Sequence, residues 1–160
     1  MEFEELLQDR KSWFIGDACS MSKVLDLLSS KTTFQVLREL FFGTARFDDF
    51  VERIGGSAPA VSRSLKQLES ARIVVRARYQ EPGRRARDEY RLTEAGEGLL
   101  PVFMSLVQWG DAHLQKGGAP LSFVDIGSGR PVEVRVTADG KGQVLRSADI
   151  RIRQRAGRRS

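Results

Sequence analysis

The chain has 160 residues, of which 41% are hydrophobic and 29% charged, so its composition is globular and excludes an intrinsically disordered protein. A formal net charge of +5 favours a polyanionic partner. The sequence contains no apolar run long enough to cross a bilayer, and its acidic start, MEFEELLQD, differs from the basic start of a signal peptide. We therefore expect a cytoplasmic protein without a membrane partner.

Residues 1–18 are predicted to form an N-terminal arm. Phe3, Leu6 and Leu7 recur at helical spacing within it. They are candidates for a contact between two subunits.

Cys19 opens the next helical segment, CSMSKVLDLL, and is the only cysteine. A single cysteine excludes an intrachain disulfide and a clustered thiolate metal site. Two interpretations remain open. Cys19 is either a small apolar filler or a sensor thiol, whose pKa the helix N-terminus and the nearby Lys23 would lower.

Two amphipathic helices are predicted next. The first spans Thr33 to Phe42 and is closed by Gly43, a typical left-handed cap. The second lies in ARFDDFVERIGG and ends at the Gly55-Gly56 pair. Their apolar stripes are Phe34, Leu37, Leu40 and Phe41 in the first, and Phe47, Phe50, Val51 and Ile54 in the second.

The segment SAPAVSRSLKQLESA is predicted to form a basic helix with Ser57 as its N-cap. Val61, Leu65 and Leu68 share one apolar face. The opposite side carries Pro59, Arg63, Lys66 and Gln67. Cationic and amide groups on one helix face can bond base edges and phosphates in a DNA major groove. The alternative is an ordinary amphipathic surface helix.

An arginine-rich hairpin follows. Ile73 to Tyr79 and Arg87 to Leu92 are strand-like and are separated by QEPGRRA, whose Pro82 and Gly83 mark a turn. The hairpin contains Arg76, Arg78, Arg84, Arg85, Arg87 and Arg91 against Glu81, Asp88 and Glu89. Such a wing would lie along a phosphate backbone, although an edge strand protected by charge has a similar composition. Helix, turn, helix, basic helix and hairpin is the order of a winged helix-turn-helix domain.

The segment from Thr93 to Gln115 is predicted to be helical, and Pro101 should kink it or separate two helices. It is apolar on more than one face, so we expect it to bury surface against a second subunit. The candidate dimer residues in it are Leu99, Phe103, Leu106, Val107 and Trp109. A homodimer would meet a pseudo-palindromic operator in double-stranded DNA. His113 is interpreted as a packing or surface histidine.

Residues 117–160 are predicted to form a small β appendage followed by a basic tail. Three strand-like runs span Leu121 to Ile126, Pro131 to Thr137 and Gln143 to Leu145, and ADGKG is a hairpin turn between the last two. Arg151 to Ser160 is interpreted as a tail that either attracts phosphate or only aids solubility.

The segment of about a hundred residues from Cys19 to Leu114 resembles the HxlR-type bacterial transcription regulators. The motifs that carry the resemblance are CSMSKVLDLL, KTTFQVLREL, ARFDDF, SLKQLESARIV, QEPGRRARDEYRLTEAG and LLPVFMSLVQWGDAHL. The resemblance implies a winged helix with an added C-terminal helix that pairs two subunits. Redox-sensing members carry a cysteine at the position of Cys19. The chain departs from the family at Ser30-Lys31-Thr32, where Gly-Lys-Trp is common, and at Arg72, where a glycine usually stands.

We therefore expect an α+β, mainly α fold: a winged helix-turn-helix domain over 19–116 with a C-terminal dimerisation helix and a small β appendage. The expected function is a homodimeric DNA-binding transcription regulator, with repression expected in preference to activation. A small-molecule effector is expected as an additional partner, and no cofactor or metal is expected. The expected DNA-binding residues are Lys31, Thr33, Arg46, Ser57, Ala58, Pro59, Ser62, Arg63, Lys66, Gln67, Arg78, Arg84, Arg85 and Arg87. A winged-helix protein-interaction module is the alternative. An enzyme is disfavoured, since the sequence has no recognisable phosphate loop or catalytic spacing.

Overall fold

The computed structural model describes residues 5, 8, 9, 11, 14–79, 87–137 and 144–154. Its helices are α1 (Ser20–Leu27), α2 (Lys31–Phe41), α3 (Phe47–Ile54), α4 (Ala58–Ser70), α5 (Glu94–Glu97) and α6 (Leu100–His113). Its strands are β1 (Val74–Tyr79), β2 (Arg87–Leu92), β3 (Leu121–Asp125) and β4 (Ile150–Gln154). The mainly helical fold with small sheets agrees with the sequence prediction.

The helix ends follow local chemistry. The Ser30 side chain accepts a hydrogen bond from the Thr33 amide and caps α2. Gly43 and Gly55 adopt positive φ angles of 85° and 65° after α2 and α3, as the sequence predicts. Arg72 turns the chain after α4 with φ 57°, at the place where a glycine is usual in the family. A side chain in this left-handed conformation is strained.

The main core lies between the first helices and the hairpin. Its buried side chains include Val36 and Leu37 from α2, Phe50 from α3, Leu65 and Leu68 from α4, and Val74 from β1. The helical residues other than Val36 belong to the apolar stripes that helical periodicity predicts. Val36 is fully buried although it lies outside the predicted stripe of α2. Packing them together fixes α4 against α2 and α3 with its opposite side outside the core.

The hairpin is joined to the helices at two places. β1 and β2 pair antiparallel in the register Val74 with Leu92 and Arg78 with Asp88. At one edge, the Tyr90 amide donates to the Ala45 carbonyl at 2.8 Å, and Arg46 forms a single antiparallel bridge with Glu89. At the base, the Thr93 hydroxyl donates to the Arg72 carbonyl at 2.6 Å.

The predicted C-terminal helix is two helices. Thr93 caps α5, since its side chain accepts from the Gly96 amide. Gly98 and Leu99 separate α5 from α6, and Pro101 lies in the first turn of α6, where a missing amide proton costs nothing. Pro101 therefore marks the junction between two helices, which is one of the two outcomes that the sequence allows.

The appendage differs from its prediction. β3 pairs antiparallel with β4, from Leu121 with Gln154 to Asp125 with Ile150. Pro131 forms only a single bridge with Val124, and the segment 132–137 is not a strand. The expected turn ADGKG lies outside the described residues. Arg151 belongs to β4 and not to a free tail. Ile150 of the same strand packs against the buried residues of α6.

The appendage and α6 enclose a second core. Phe103 is buried there and stacks on Phe41 with ring centroids 5.2 Å apart, while Phe123 meets it edge-on at 6.4 Å. Polar contacts hold the appendage in place. The Gln108 side chain exchanges two hydrogen bonds with the backbone of Val134, and the Ser147 hydroxyl donates to Glu97 at 2.6 Å.

Candidate nucleic-acid interface

Helix α4 presents a polar outer side. Val61, Ser64, Leu65 and Leu68 are buried, whereas Pro59, Arg63 and Lys66 are exposed and Ser62 is half-exposed. The exposed residues follow the three- and four-residue spacing of one helix face. This places the predicted Arg63 and Lys66 side by side along α4, with their charged groups outside the core.

Two predicted DNA contacts have a different role. Thr33 is fully buried, and its hydroxyl donates to the Ser64 hydroxyl at 3.1 Å, which joins α2 to α4. Gln67 is half-buried, and its amide donates to the Leu27 carbonyl at 2.8 Å, which joins α4 to the end of α1. The expectation that these side chains face DNA is wrong for Thr33. Gln67 instead links α4 to α1, because its side-chain amide already donates a hydrogen bond inside the protein.

The N-terminus of α4 is open. Ser57 occupies the N-cap position in its backbone, but among the described residues its side chain makes no capping hydrogen bond. Ser57, Ala58 and Pro59 are all exposed, as is Lys31 at the start of α2. Amides at a helix N-terminus favour an anion such as a phosphate. The expected side-chain cap by Ser57 is therefore absent, and its hydroxyl stays at the surface.

The basic wing is partly engaged within the protein. The Arg76 guanidinium lies 3.6 Å from Glu69 of α4 and 3.5 Å from Asp88 of β2. Arg46 lies 3.8 Å from Glu89, with its side chain 38% exposed. Arg78 is exposed on β1, and Arg87 begins β2. The predicted wing-tip residues Arg84 and Arg85 lie outside the described residues.

The predicted dimer residues separate into two groups. Phe103 is buried by its own chain, and Leu99 and Val107 are half-buried against the two cores. The expectation that Phe103 faces a partner is therefore wrong, because the appendage covers it. Leu106 and Trp109 remain 52% and 58% exposed on α6. Phe3, Leu6 and Leu7 lie outside the described residues.

A second apolar surface was not predicted. Met21 and Leu25 of α1 are 71% and 56% exposed, and Phe14 just before the helix is 93% exposed. The sequence CSMSKVLDLL already indicates this surface, because an eight-residue helix with one core contact cannot bury all of its apolar residues. Within the described part of the chain, α1 and α6 thus each carry a largely exposed apolar face.

Cys19 occupies the N-cap position of α1 and is half-buried. Hydrogen bonds from the Ser22 side chain and backbone lower the pKa of its thiol, because they stabilise the thiolate. The predicted effect on the pKa has the expected direction. Its main cause is the Ser22 hydroxyl, which the sequence argument did not include. The helix N-terminus, which that argument did include, contributes through the Ser22 and Met21 amides, whereas Lys23 is not among the causes.

The described residues also bear on metal binding, on membrane insertion and on the role of His113. Within the described ranges, no group of three or more histidine, cysteine or acidic side chains is arranged to hold a metal ion. Among the described helices, none is both long and apolar enough to span a membrane. His113 stacks on Trp109 with ring centroids 5.0 Å apart.

The chain is similar to several uncharacterized HTH-type transcriptional regulators. One from Mycobacterium tuberculosis is 36% identical over 101 residues, which is 63% of each chain. The chain thus spans less than two thirds of the length of this relative. One from Synechocystis is 33% identical over 110 residues, which is 68% of this chain and 80% of the relative.

Solved structures share the fold. PA1607, described as a candidate transcription factor, superposes with a TM-score of 0.70 at 25% identity over 86% of this chain and 95% of its own. The reduced form of the transcriptional regulator YodB from B. subtilis has a TM-score of 0.53 at 30% identity, covering 62% of this chain and 97% of its own. The redox regulator HypR in its oxidized form has a TM-score of 0.53 at 26% identity, covering 59% and 97%.

The match to a family model agrees with the architecture. Residues 27–117, from the end of α1 past the end of α6, match the HxlR-like helix-turn-helix model. They include α4 with its exposed basic side, the hairpin and both helices that follow it. The chain belongs to the HxlR family of helix-turn-helix transcription regulators.

Proposed function

We propose that this protein is a homodimeric repressor that binds a pseudo-palindromic operator in double-stranded DNA, with α4 in the major groove. The observation that carries the proposal is the outer side of α4, where Arg63 and Lys66 stand exposed while the opposite side is anchored in the core. A guanidinium or ammonium on a rigid helix matches the hydrogen-bonding pattern of guanine.

The remaining DNA contacts are assigned to backbone positioning. Exposed residues at the starts of α2 and α4 form one group: Lys31, Ser57 and Ala58. Backbone amides at a helix N-terminus and the Lys31 ammonium group can bind a phosphate. Arg46 and Arg78 lie on the hairpin side of the interface. Arg84, Arg85 and Arg87 are assigned to the same phosphate contacts from the sequence of the wing. These residues would supply affinity, whereas Arg63 and Lys66 would supply sequence preference.

Competition binding tests the assignment of α4. The probe is a duplex from the region upstream of the protein's own gene, and the competitor is a random duplex at two salt concentrations. Arg63→Ala should lose preference for the probe, since one good bidentate base contact discriminates by about 1 to 3 kcal/mol. Lys116→Ala removes the same charge from an exposed position after α6 and is the matched control.

Three outcomes separate the functions. Loss of preference in Arg63→Ala, with retention in Lys116→Ala, supports the proposal. An unchanged preference in Arg63→Ala would exclude α4 as the reading element. Absence of duplex binding by the wild type at moderate salt would favour the protein-interaction module.

The wing should behave differently from α4. Replacing Arg84 and Arg85 together with alanine should weaken probe and random duplex by similar factors, because phosphate contacts do not read sequence. The slope of log affinity against log salt should also fall by about one to two units. A selective loss of probe binding would instead place these arginines at base edges.

The homodimer is proposed to form through the apolar faces left uncovered on α6 and α1. Leu106→Glu should yield a folded monomer, since the side chain is exposed in one subunit but a buried, unpaired charge would cost several kcal/mol in the dimer. Val136→Glu makes the same change at a fully exposed site and should stay dimeric. Analytical ultracentrifugation measures both, and a monomeric wild type at micromolar concentration would refute the dimer.

Repression is the simpler mode of action for such a dimer. A protein of this size bound across a promoter blocks polymerase without a separate activating surface. A promoter–reporter assay measures the direction of the effect. Higher expression after deletion of the gene supports repression, and lower expression contradicts it.

A sensory role is proposed for Cys19. It is supported by the lowered pKa of the thiol and by the likeness to HypR, which is described as a redox regulator. Oxidation or alkylation at this N-cap would alter α1, whose end is held to α4 by Gln67. The path from Cys19 to the DNA-reading helix is therefore short.

A further inference from the structure

A groove separates α6 from the appendage, on a part of the molecule that extends beyond the family match. Its volume is about 470 Å³, which lies in the range of small-molecule sites. Met104 and Val107 of α6 form one wall, and Phe123 and Val132 of the appendage form the other. Apolar walls of this kind suit the body of an organic ligand.

The charged side chains that line the groove are acidic. Among the described residues that line it, Asp111 and Glu133 are the charged ones, and both are carboxylates. Glu133 already pairs with Arg135 at 2.5 Å. Asp111 is half-buried and forms no hydrogen bond or ion pair with any residue that the structure describes. It is therefore available to a cationic ligand.

The position of Asp111 strengthens the preference for a cation. It lies in the last turn of α6, which ends at His113. Free carbonyl groups and the helix dipole make this end of a helix favourable for a positive charge. A carboxylate and a helix C-terminus in a groove with both apolar and polar walls are complementary to an amine attached to an aromatic or aliphatic body.

The groove has defined walls. Gln108 fixes the segment around Val134 to α6 through two hydrogen bonds, and Ser147 fixes the far side of the appendage to Glu97. These contacts fix the two walls relative to each other. A largely preformed site loses less conformational freedom on binding than one that must assemble.

We propose that the groove between α6 and the appendage binds amphipathic organic cations, with Asp111 as the partner of the ammonium group. The regulatory part of this inference rests on the proposed function: a bound ligand would contact Met104 and Val107 of α6, whose opposite face is the proposed dimer contact, and would couple the groove to the dimer in this way. Ligand binding itself can be measured without DNA.

Calorimetric titration of the full-length protein without DNA tests the site. The probe is 2-(1-naphthyl)ethylamine, which is protonated at neutral pH. Two matched compounds share its ring system: neutral 2-(1-naphthyl)ethanol and anionic 1-naphthylacetate. The amine should bind at least about tenfold more tightly than the alcohol, because a charge-assisted hydrogen bond is lost in the alcohol. The acetate should bind more weakly still.

Three variants locate the binding. Asp111→Asn keeps the shape of the side chain and should weaken amine binding about tenfold while leaving the alcohol unchanged. Glu52→Gln neutralises an exposed carboxylate on α3 and is the control. Ala112→Trp fills the groove from an exposed helix position and should weaken all three compounds.

The results distinguish the site from its regulatory role. Equal binding of the three compounds, or an unchanged amine affinity in Asp111→Asn, would overturn the cation site. Amine binding without an effect on duplex affinity or on sedimentation would retain the site and overturn its coupling to α6. A protein that fails to bind DNA but binds the amine as expected would contradict only the proposed function.

Discussion

At Gly96 the neighbouring atoms lie too close to the backbone to leave room for a side chain. A Cβ atom at this position would lie 2.2 Å from the Ile73 carbonyl oxygen and 2.9 Å from the Leu92 side chain. Gly96 is buried where α5 crosses the base of the hairpin. No side chain fits there without moving backbone.

Gly96→Ala should therefore lower the free energy of unfolding by about 2 to 4 kcal/mol, since the displaced atom is a backbone carbonyl and overpacking against it forces α5 away from the hairpin. Urea unfolding followed by circular dichroism measures the change. Gly110→Ala is the matched control, because nothing lies within 4 Å of its added Cβ. The control should be neutral or stabilising by up to about 1 kcal/mol. Equal stability of Gly96→Ala and the wild type would contradict the close approach.

The reactivity of the Cys19 thiol is predicted to depend on pH. Its lowered pKa means that the thiolate forms at lower pH than in an ordinary cysteine. The rate of alkylation by iodoacetamide should therefore rise with pH through a midpoint below that of an unperturbed cysteine thiol. Ser22→Ala should shift the midpoint upward, because the Ser22 hydroxyl is the largest cause of the shift. Identical midpoints in the two proteins would remove Ser22 from this role.

At the scale of the elements, local sequence determines much of the winged-helix unit. α2, α3 and α4 each carry an apolar stripe, and Gly43 and Gly55 end two of them in the left-handed conformation that glycine favours. The hairpin follows from its turn residues. Arg72 shows that the chain turns at this point even without the usual glycine, because Thr93 and the core hold both sides of the turn.

The candidate DNA site could be predicted only in part. A helical wheel identifies Arg63 and Lys66 as opposite to the apolar stripe of α4. It cannot show that Thr33 meets Ser64 or that Gln67 reaches the end of α1, since these bonds join residues 31 and 40 positions apart. Polar side chains at such long-range contacts resemble surface residues in the sequence.

The appendage was harder to predict for a related reason. β3 pairs with a strand that lies about 30 residues further along the chain, whereas the turn residues ADGKG indicate a nearer partner. The second core could not be predicted either, because periodicity reveals that α6 is apolar all round but not which element covers each face. Phe103 was consequently assigned to a partner subunit, although Phe123 of the same chain covers it.

At the scale of the whole molecule, the appendage completes the HxlR domain. Phe41, Phe42 and Phe103 belong to the matched region 27–117, and Phe123, Val132 and Ile150 from beyond it pack against them. The family region of this chain therefore has an aromatic surface that depends on residues outside the family match.

A variant that ends at residue 117 should bind the dye ANS and aggregate at concentrations where the full chain does not, since it exposes the rings that the appendage covers. Light scattering and ANS fluorescence measure this. Removing only residues 155–160, which follow β4, is the control and should leave both signals low. A shortened protein as well behaved as the full chain would show that the second core is dispensable.

The pairing of β3 with β4 also has a consequence for synthesis on the ribosome. Residues 118–154 follow the family region, and at about 5 to 20 residues per second they take roughly 2 to 7 s to translate. During that interval the phenylalanine cluster of the emerging domain is not yet covered by the appendage. The period in which a nascent chain is most exposed to association, and most in need of a chaperone, ends only when β4 has left the ribosome and closed over it.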